Sequence, residues 1–470
     1  MITYPFFSKN VKERLDPYYL MLQKNLQKLR YKFPLVSLET LLKENPQYGA
    51  NEIAIDGNPS NDTRYVRITD IDKYGKLKNE EWKTAKNINE KYLLKDDDVL
   101  FARSGATAGK TFIYNHSVGK AIFAGYLIKF KIDASRANPK FIFYFTQLSP
   151  YTEWVKFIQR PSGQPNINSK EFKSINISLP PREIQDIIVE IMQIAYKDRE
   201  EKLKQANELL SSISGYVRQQ LDITYTEPEE KPTFTTSSNE VKGKRLDPKK
   251  YSQKPKAILT AIKKAKYSQL PLNNLIVANI SGEWGNDLFD NNAKADKDTV
   301  QVKVLRNTNF DNSLNLNLED VAERLIEKNK FVKNKLQNGD ILIEKSGGSP
   351  IQPVGRVAIF DNIKGDYCFS NFLQCIRINE TKCLPYYLFV YLKSIYALNY
   401  MEYLQNQTTG IKNLIWEEFT DTPIVLPPKD TQEKLAEEAK DRMTKATALR
   451  HEASTVLDEA KKQVEEMILN

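Results

Sequence analysis

The chain repeats itself, and this duplication limits its fold more than any other feature. Arg14-Leu15-Asp16-Pro17 returns as Arg245-Leu246-Asp247-Pro248, and Val66-Arg67-Ile68-Thr69-Asp70 is echoed by Leu305-Arg306-Asn307-Thr308-Asn309. Asp98-Val99-Leu100 followed by Arg103-Ser104-Gly105 recurs as Asp340-Ile341-Leu342 followed by Lys345-Ser346-Gly347, and Gly109-Lys110 recurs as Gly355-Arg356. Gly163, Asn166 and Phe172 match Gly410, Asn413 and Phe419, and Leu179-Pro180-Pro181 with Gln185 matches Leu426-Pro427-Pro428 with Gln432. One such match is chance; six in the same order are a tandem duplication, the signature of a repeated structural unit.

Each copy divides into a globular block and a long helical segment. Short runs rich in β-branched and aromatic residues, punctuated by Gly, Asn, Asp and Pro, predict strands at 53–55, 65–68, 99–101, 111–114 and 126–132, then at 300–305, 341–343, 356–360 and 372–378. Helical patterns lie at 18–29, 139–148, 257–264 and 386–396. The expected fold class is α+β: two tandem-repeated α/β domains, each with a mostly antiparallel sheet and flanking helices, separated by two long antiparallel helices that form a coiled coil.

After Pro181 the pattern changes to apolar residues three and four apart: Ile184, Ile187, Ile188, Ile191, Ile194, then Leu203, Ala206, Leu210, Ile213 and Val217. The second copy carries Leu435, Ala439, Met443, Ala446, Leu449, Ala453, Val456, Ala460, Val464 and Met467. Each run would make a helix of about 57 Å. A helix that long with one apolar stripe needs a partner, and the other copy in the same chain is the nearest. Ile187, Ile191, Leu210, Leu435, Leu449 and Val456 are the expected partner-binding residues of these helices. The boundaries expected are a first globular domain over 1–181, a spacer helix over 182–222, a linker over 223–244, a second globular domain over 245–428 and a second spacer helix over 429–470. Residues 226–243, with two prolines, repeated Glu and a Thr/Ser cluster, read as exposed linker.

Charge follows the same division. The 470-residue chain has a net charge of +9, yet both long segments and the linker are net acidic, so the positive excess lies in the globular blocks. That distribution suits a polyanion-binding surface confined to those blocks. No run approaches the roughly 18 apolar residues of a membrane span, and the first ten residues lack a secretory pattern. The cysteines, Cys368, Cys375 and Cys383, fit neither a disulfide framework nor a zinc site and read as reduced core thiols of a cytoplasmic protein.

Enzyme motifs are missing. The two histidines, His116 and His451, have no nucleophile or ligand nearby in sequence. The stretch from Gly105 to Thr111 nears a phosphate loop but has one residue too few between its glycines, and its counterpart at 347–356 loses the Lys-Thr pair. Asp96-Asp97-Asp98 would suit a metal-dependent nuclease, but only Asp98 has a like partner, Asp340, so a turn into a strand is the better reading. No catalytic residue, metal or cofactor is assigned to the chain.

Two loop clusters per copy suit DNA. Arg103, Ser104 and Lys110, and in the second copy Lys345, Ser346 and Arg356, place cations and hydroxyls at a Gly-rich turn, a pattern suited to phosphate. The second cluster holds Arg160, Gln164, Asn166 and Asn168, matched by Gln407, Lys412 and Asn413. Amides pair with adenine and arginine with guanine, although Asn166 and Asn413 are equally the residue type that caps a following helix.

Taken with the duplication, the strand followed by Arg-Ser-Gly, the run Gly163-Gln164-Pro165-Asn166-Ile167-Asn168 and the Leu-Pro-Pro-x-x-x-Gln lead into each helix resemble the specificity subunits of Type I restriction-modification systems. Many members carry Glu before that glutamine; Ile184 and Thr431 stand there in this chain. The resemblance implies a non-catalytic subunit in which each globular half reads half of a bipartite, asymmetric site on double-stranded DNA. The helices would set the spacing and dock two methyltransferase subunits, which bind S-adenosylmethionine and methylate adenine; a restriction and translocase subunit would join for cleavage. Competing readings are a coiled-coil scaffold without nucleic acid and a self-sufficient DNA enzyme.

Overall fold

The computed structural model describes residues 29–470 except 79–80, 159–164, 232, 244, 289–297, 312–315, 348–351 and 409. The Arg14–Pro17 motif and nearly all of the helix expected over 18–29 lie outside the described residues. The chain divides into two compact units, residues 1–201 with 452–470, and residues 202–451.

The first unit is built on a four-stranded antiparallel sheet of β1 (Gln47–Tyr48), β2 (Asp98–Ala102), β3 (Thr111–Ile113) and β4 (Leu127–Lys131), in the order β1-β4-β2-β3. The second unit has β5 (Ile276–Ser281), β6 (Asp340–Glu344), β7 (Val357–Phe360) and β8 (Leu373–Ile378), in the order β5-β8-β6-β7. Identical strand order is the structural counterpart of the sequence repeat. Each unit adds a parallel pair that the sequence did not signal: Arg64–Val66 with Ala121–Phe123, and Lys303–Leu305 with Tyr367–Phe369. Parallel pairing needs a long crossover, here β2 with β3 and β6 with β7, so local pattern cannot announce it.

The repeated residues hold matching positions. Asp98 and Asp340 are buried; each accepts a backbone N–H from three residues earlier (Lys95, 2.9 Å; Gln337, 2.8 Å) and pairs with a cation on the neighbouring strand (Lys131, 3.1 Å; Arg377, 2.8 Å). The residue before each takes positive φ, Asp97 at 67° and Gly339 at 88°. The acidic triplet is therefore a turn that launches a strand. Phe172 and Phe419 are wholly buried, Phe172 with its ring centroid 5.0 Å from that of Phe101. All three cysteines are free and buried, and burial pushes the Cys368 and Cys383 thiols up to about 12.

The long helices are α1 (Arg182–Gln220) and α2 (Lys429–Ile468). They pack antiparallel as a coiled coil. In the first unit Ile188, Met192 and Ala195 share a core with Leu457, Ala460, Val464 and Ile468; in the second, Ala206, Leu210, Ile213 and Val217 share one with Leu435, Ala439, Met443 and Ala446. Each large side chain buried this way stabilises by about 1.5–3 kcal/mol.

The stripe read from sequence needs correcting. Ile187 and Ile194 are 49% and 61% exposed, and the buried face runs through Ile188, Val189, Met192, Ala195 and Tyr196; in α2, Leu457 and Ile468 replace Val456 and Met467 as the most buried. Counting apolar residues does not fix a helix's rotation when isoleucine falls on adjacent faces; the neighbouring surface decides. The buried α2 seam then steps through 439, 443, 446, 453, 457, 460 and 464, while the half-buried Arg450 donates to Asn207 Oδ1 at 3.0 Å.

Where α1 and α2 begin, the repeated glutamines act alike. Gln185 Oε1 accepts the N–H of Asn138 (2.8 Å), the residue before the helix Pro139–Phe145, and its Nε2 donates to Pro180 O (2.9 Å). Gln432 Oε1 accepts the N–H of Leu384 (2.8 Å), before the helix Pro385–Tyr396, and its Nε2 donates to Pro427 O and Lys382 O (2.9 and 3.2 Å). Each long helix is thereby tied at its start to the globular block it leaves.

Candidate nucleic-acid interface

In both units the fold brings the two loop clusters together by the same contact. In the first, Ile167 N donates to Arg103 O (2.7 Å) and Gly105 N to Pro165 O (2.9 Å), pairing Ser104 with Asn166. In the second, Leu414 N donates to Lys345 O (2.8 Å), and Ser346–Gly347 pairs with Lys412–Asn413 in a three-stranded sheet completed by Gln405–Thr408. Residues more than sixty positions apart thus form one surface at the end of β2 or β6.

The expected site residues divide by what their side chains touch. Arg103 lies over the Tyr48 ring (5.1 Å) and donates from Nε to Asn166 Oδ1 (3.4 Å); Asn166 is exposed. Gln407 is exposed and pairs in register with Lys412, whose Nζ donates to Gln352 O (3.2 Å). Arg160 and Gln164 lie outside the described residues.

Other residues, half-buried or buried, also hold groups of their own unit. Arg356 forks onto Glu344, Nε to Oε2 at 2.8 Å and Nη2 to Oε1 at 2.9 Å, and also donates to the carbonyls of Asn307 and Phe310. Its counterpart Lys110 donates to Ile71 O (3.3 Å), the position equivalent to Phe310. Burial, with Lys78 nearby, lowers the Lys110 pKa, while the Glu344 hydrogen bonds raise that of Arg356. These two cations brace the turn that follows the parallel strand. The near phosphate loop is a single 3-10 turn, Gly105–Thr107. Lys345 reaches Gln374 Oε1 (3.3 Å), and burial lowers its pKa. Ser104 is buried, and Ser346 donates to Asn413 Oδ1 (2.7 Å).

The capping alternative resolves differently for each asparagine. Asn166 and Asn413 cap nothing. Asn168 caps the helix Ser169–Lys173, accepting from Lys170 N and Glu171 N while its own N–H donates to Glu171 Oε2. Its side-chain oxygen is committed to that helix. Of the helix residues expected to meet a partner, Leu210 and Leu435 are buried within the chain's own helix pair; Ile191, Leu449 and Val456 pack partly against it. Only Ile187 stands well exposed among these six.

Sequence reading missed Tyr48, Glu344 and Gln374. Tyr48 and Gln374 arrive from other strands, and Glu344, although it precedes Lys345, pairs with Arg356 twelve positions on; a short run carries no sign of such pairings.

Two copies of a mixed-sheet block, each pairing a cation-bearing turn with an amide-bearing loop and each leading into one helix of a coiled coil, define a duplicated polyanion-binding architecture. The chain belongs to the Type I restriction modification DNA specificity family, whose domain model matches residues 52–209 and again 277–452. It is a DNA specificity subunit, with DNA and methyltransferase as partners, in a family that is generally non-catalytic. No curated protein matches the chain significantly. Among solved structures it is similar to a chain from work on complex assembly and conformational transition of the type I R-M system, 16% identical over 93% of this chain and 97% of that one, TM-score 0.46. It is also similar to the HsdS subunit from Thermoanaerobacter tengcongensis (16% identical, 92% and 95% covered, TM-score 0.33) and the S subunit from M. genitalium (11%, 94% and 97%, TM-score 0.43). No helix among the described residues is long and apolar enough to cross a membrane.

Proposed function

We propose that each globular half reads one half of a bipartite, asymmetric DNA site through its paired loops. Residues 1–181 and 245–428 are the two recognition domains, 182–222 and 429–470 the spacers, and 223–244 the linker. The observation that carries this reading is the shared loop pairing: Arg103 with Asn166 in one unit, and Lys345 and Ser346 with Lys412 and Asn413 in the other. Cations beside amide side chains supply both the phosphate contacts that position a protein and the groups that read base edges. Gln407 belongs to the same face of the second domain.

The length of the helical segments sets the gap tolerated between half-sites, and their outer faces, including Ile187, dock two methyltransferase subunits. Those subunits bind the methyl donor and perform the chemistry in the cytoplasm, so the chain alone neither methylates nor cleaves. A restriction and translocase subunit completes the assembly when DNA is cut. Replacing residues 1–181 by the first domain of another family member tests the reading. Methylome sequencing of a host expressing the complex should show a change in one half of the site only; a change in both halves would refute modular readout.

A further inference from the structure

At one matched position the two units each hold an aromatic side chain outside the core: Tyr126 is 60% exposed and Phe372 is 41% exposed. A lone exposed aromatic needs no explanation. Here the neighbours differ, Ala124-Gly125 in one copy and Ser370-Asn371 in the other, yet the aromatic ring and its exposure recur.

The setting is the same in both. Each residue is the third of a tight turn, closed by Leu127 N on Ala124 O (2.8 Å) and by Leu373 N on Ser370 O (2.9 Å). Each turn is pressed against a glycine: a Cβ on Gly49 would lie 2.3 Å from Ala124 O, and one on Gly282 2.1 Å from Ser370 O. The aromatic residue then lends its own carbonyl to the cation-bearing loop. Arg103 N donates to Tyr126 O (3.0 Å), while Lys345 N and Ser346 N donate to Phe372 O (2.9 and 3.3 Å). The aromatic residue and the cation-bearing residue are thus joined through backbone at the end of the sheet, a fixed placement of the kind a binding contact requires.

We propose that Tyr126 and Phe372 are DNA-contact residues, each laying an apolar ring against the sugars and base edges of its half-site beside the loop that meets the phosphates. Apolar contact of this kind reads groove shape and the thymine methyl group. The inference rests on the DNA-facing reading of these loops and adds to it an uncharged determinant.

Salt separates the two kinds of contact. A phosphate contact contributes about 0.9 to the slope of log K against log salt; a ring contributes nothing to it. The assay is anisotropy titration of a labelled duplex carrying the recognised site with the complete complex, methyltransferase subunits included, across a salt series. Tyr126→Ala and Phe372→Ala should each weaken binding about tenfold with an unchanged slope, and Tyr126→Phe should bind like the wild type. Arg103→Ala should flatten the slope. Binding by both alanine variants within twofold of wild type, with the Arg103→Ala effect intact, would overturn the inference and leave the interface standing. A complex indifferent both to salt and to Arg103→Ala would overturn the interface and this inference together. A loss in the alanine variants accompanied by a lowered Tm would also overturn it, by giving the ring a structural role.

Discussion

Replacing Gln432 by leucine should destabilise the second unit by about 3–5 kcal/mol. The two side chains have similar volume, so little cavity forms, and the effect is almost wholly polar. Gln432 is 1% exposed and satisfies three backbone groups: the N–H of Leu384 and the carbonyls of Pro427 and Lys382. Leucine leaves all three without a partner in a site closed to water, at about 1–3 kcal/mol each, with relaxation recovering part. Gln185, 2% exposed, satisfies two groups, so Gln185→Leu should cost about 2–4 kcal/mol in the first unit. Urea unfolding followed by tryptophan fluorescence checks both, with Tm falling by roughly 10 °C for Gln432→Leu. A loss below about 1 kcal/mol, or a larger loss at Gln185 than at Gln432, would refute the argument that hydrogen bonds at the helix start, not the proline turn alone, tie each long helix to its block.

Three further outcomes are expected. Deleting one matched heptad from both α1 and α2 should change the gap between methylated half-sites without changing either half-site, as read by methylome sequencing; an unchanged gap would remove the helices' measuring role. Burial, reinforced by Arg356 and opposed by Asp311 and Glu344, lowers the Lys393 pKa to about 8. Between pH 8 and the unfolded lysine's value of about 10.4 the unfolded chain holds the extra proton, so this penalty is complete below pH 8 and fades as pH rises. Lys393→Met should therefore raise stability at pH 7, and its advantage in denaturant titrations should shrink between pH 8 and pH 10; a constant advantage would contradict the assignment. Because burial raises the thiols of Cys368, Cys375 and Cys383, iodoacetamide should label none of them in the native protein and all three in urea; native labelling would count against a sealed core.

How much was legible varied with the kind of interaction. Strands such as β2 and β6 and the limits of α1 and α2 were readable because alternation, helical period and Pro-Pro boundaries are local. The rotation of α1 was not: Ile187 and Ile188 are equally apolar, and only packing against the globular block and α2 put Ile188 inside. Among the candidate contacts, Lys110 and Arg356 had the right charge in the right motif. That each also braces a turn became visible only once the turns at Ile71 and Phe310 were seen to offer carbonyls.

The sequence by itself determined that there are two copies of one unit, that a long helix follows each, and that the positive charge belongs to the globular blocks, because repetition, periodicity and charge are properties of order along a chain. Tertiary structure alone decided which cations brace a turn and which stay at the surface, that Asn168 and not Asn166 caps a helix, and that Tyr126 and Phe372 stand beside the motif loops. Those outcomes depend on partners arriving from distant strands, and a side chain's direction is set by the partner it meets.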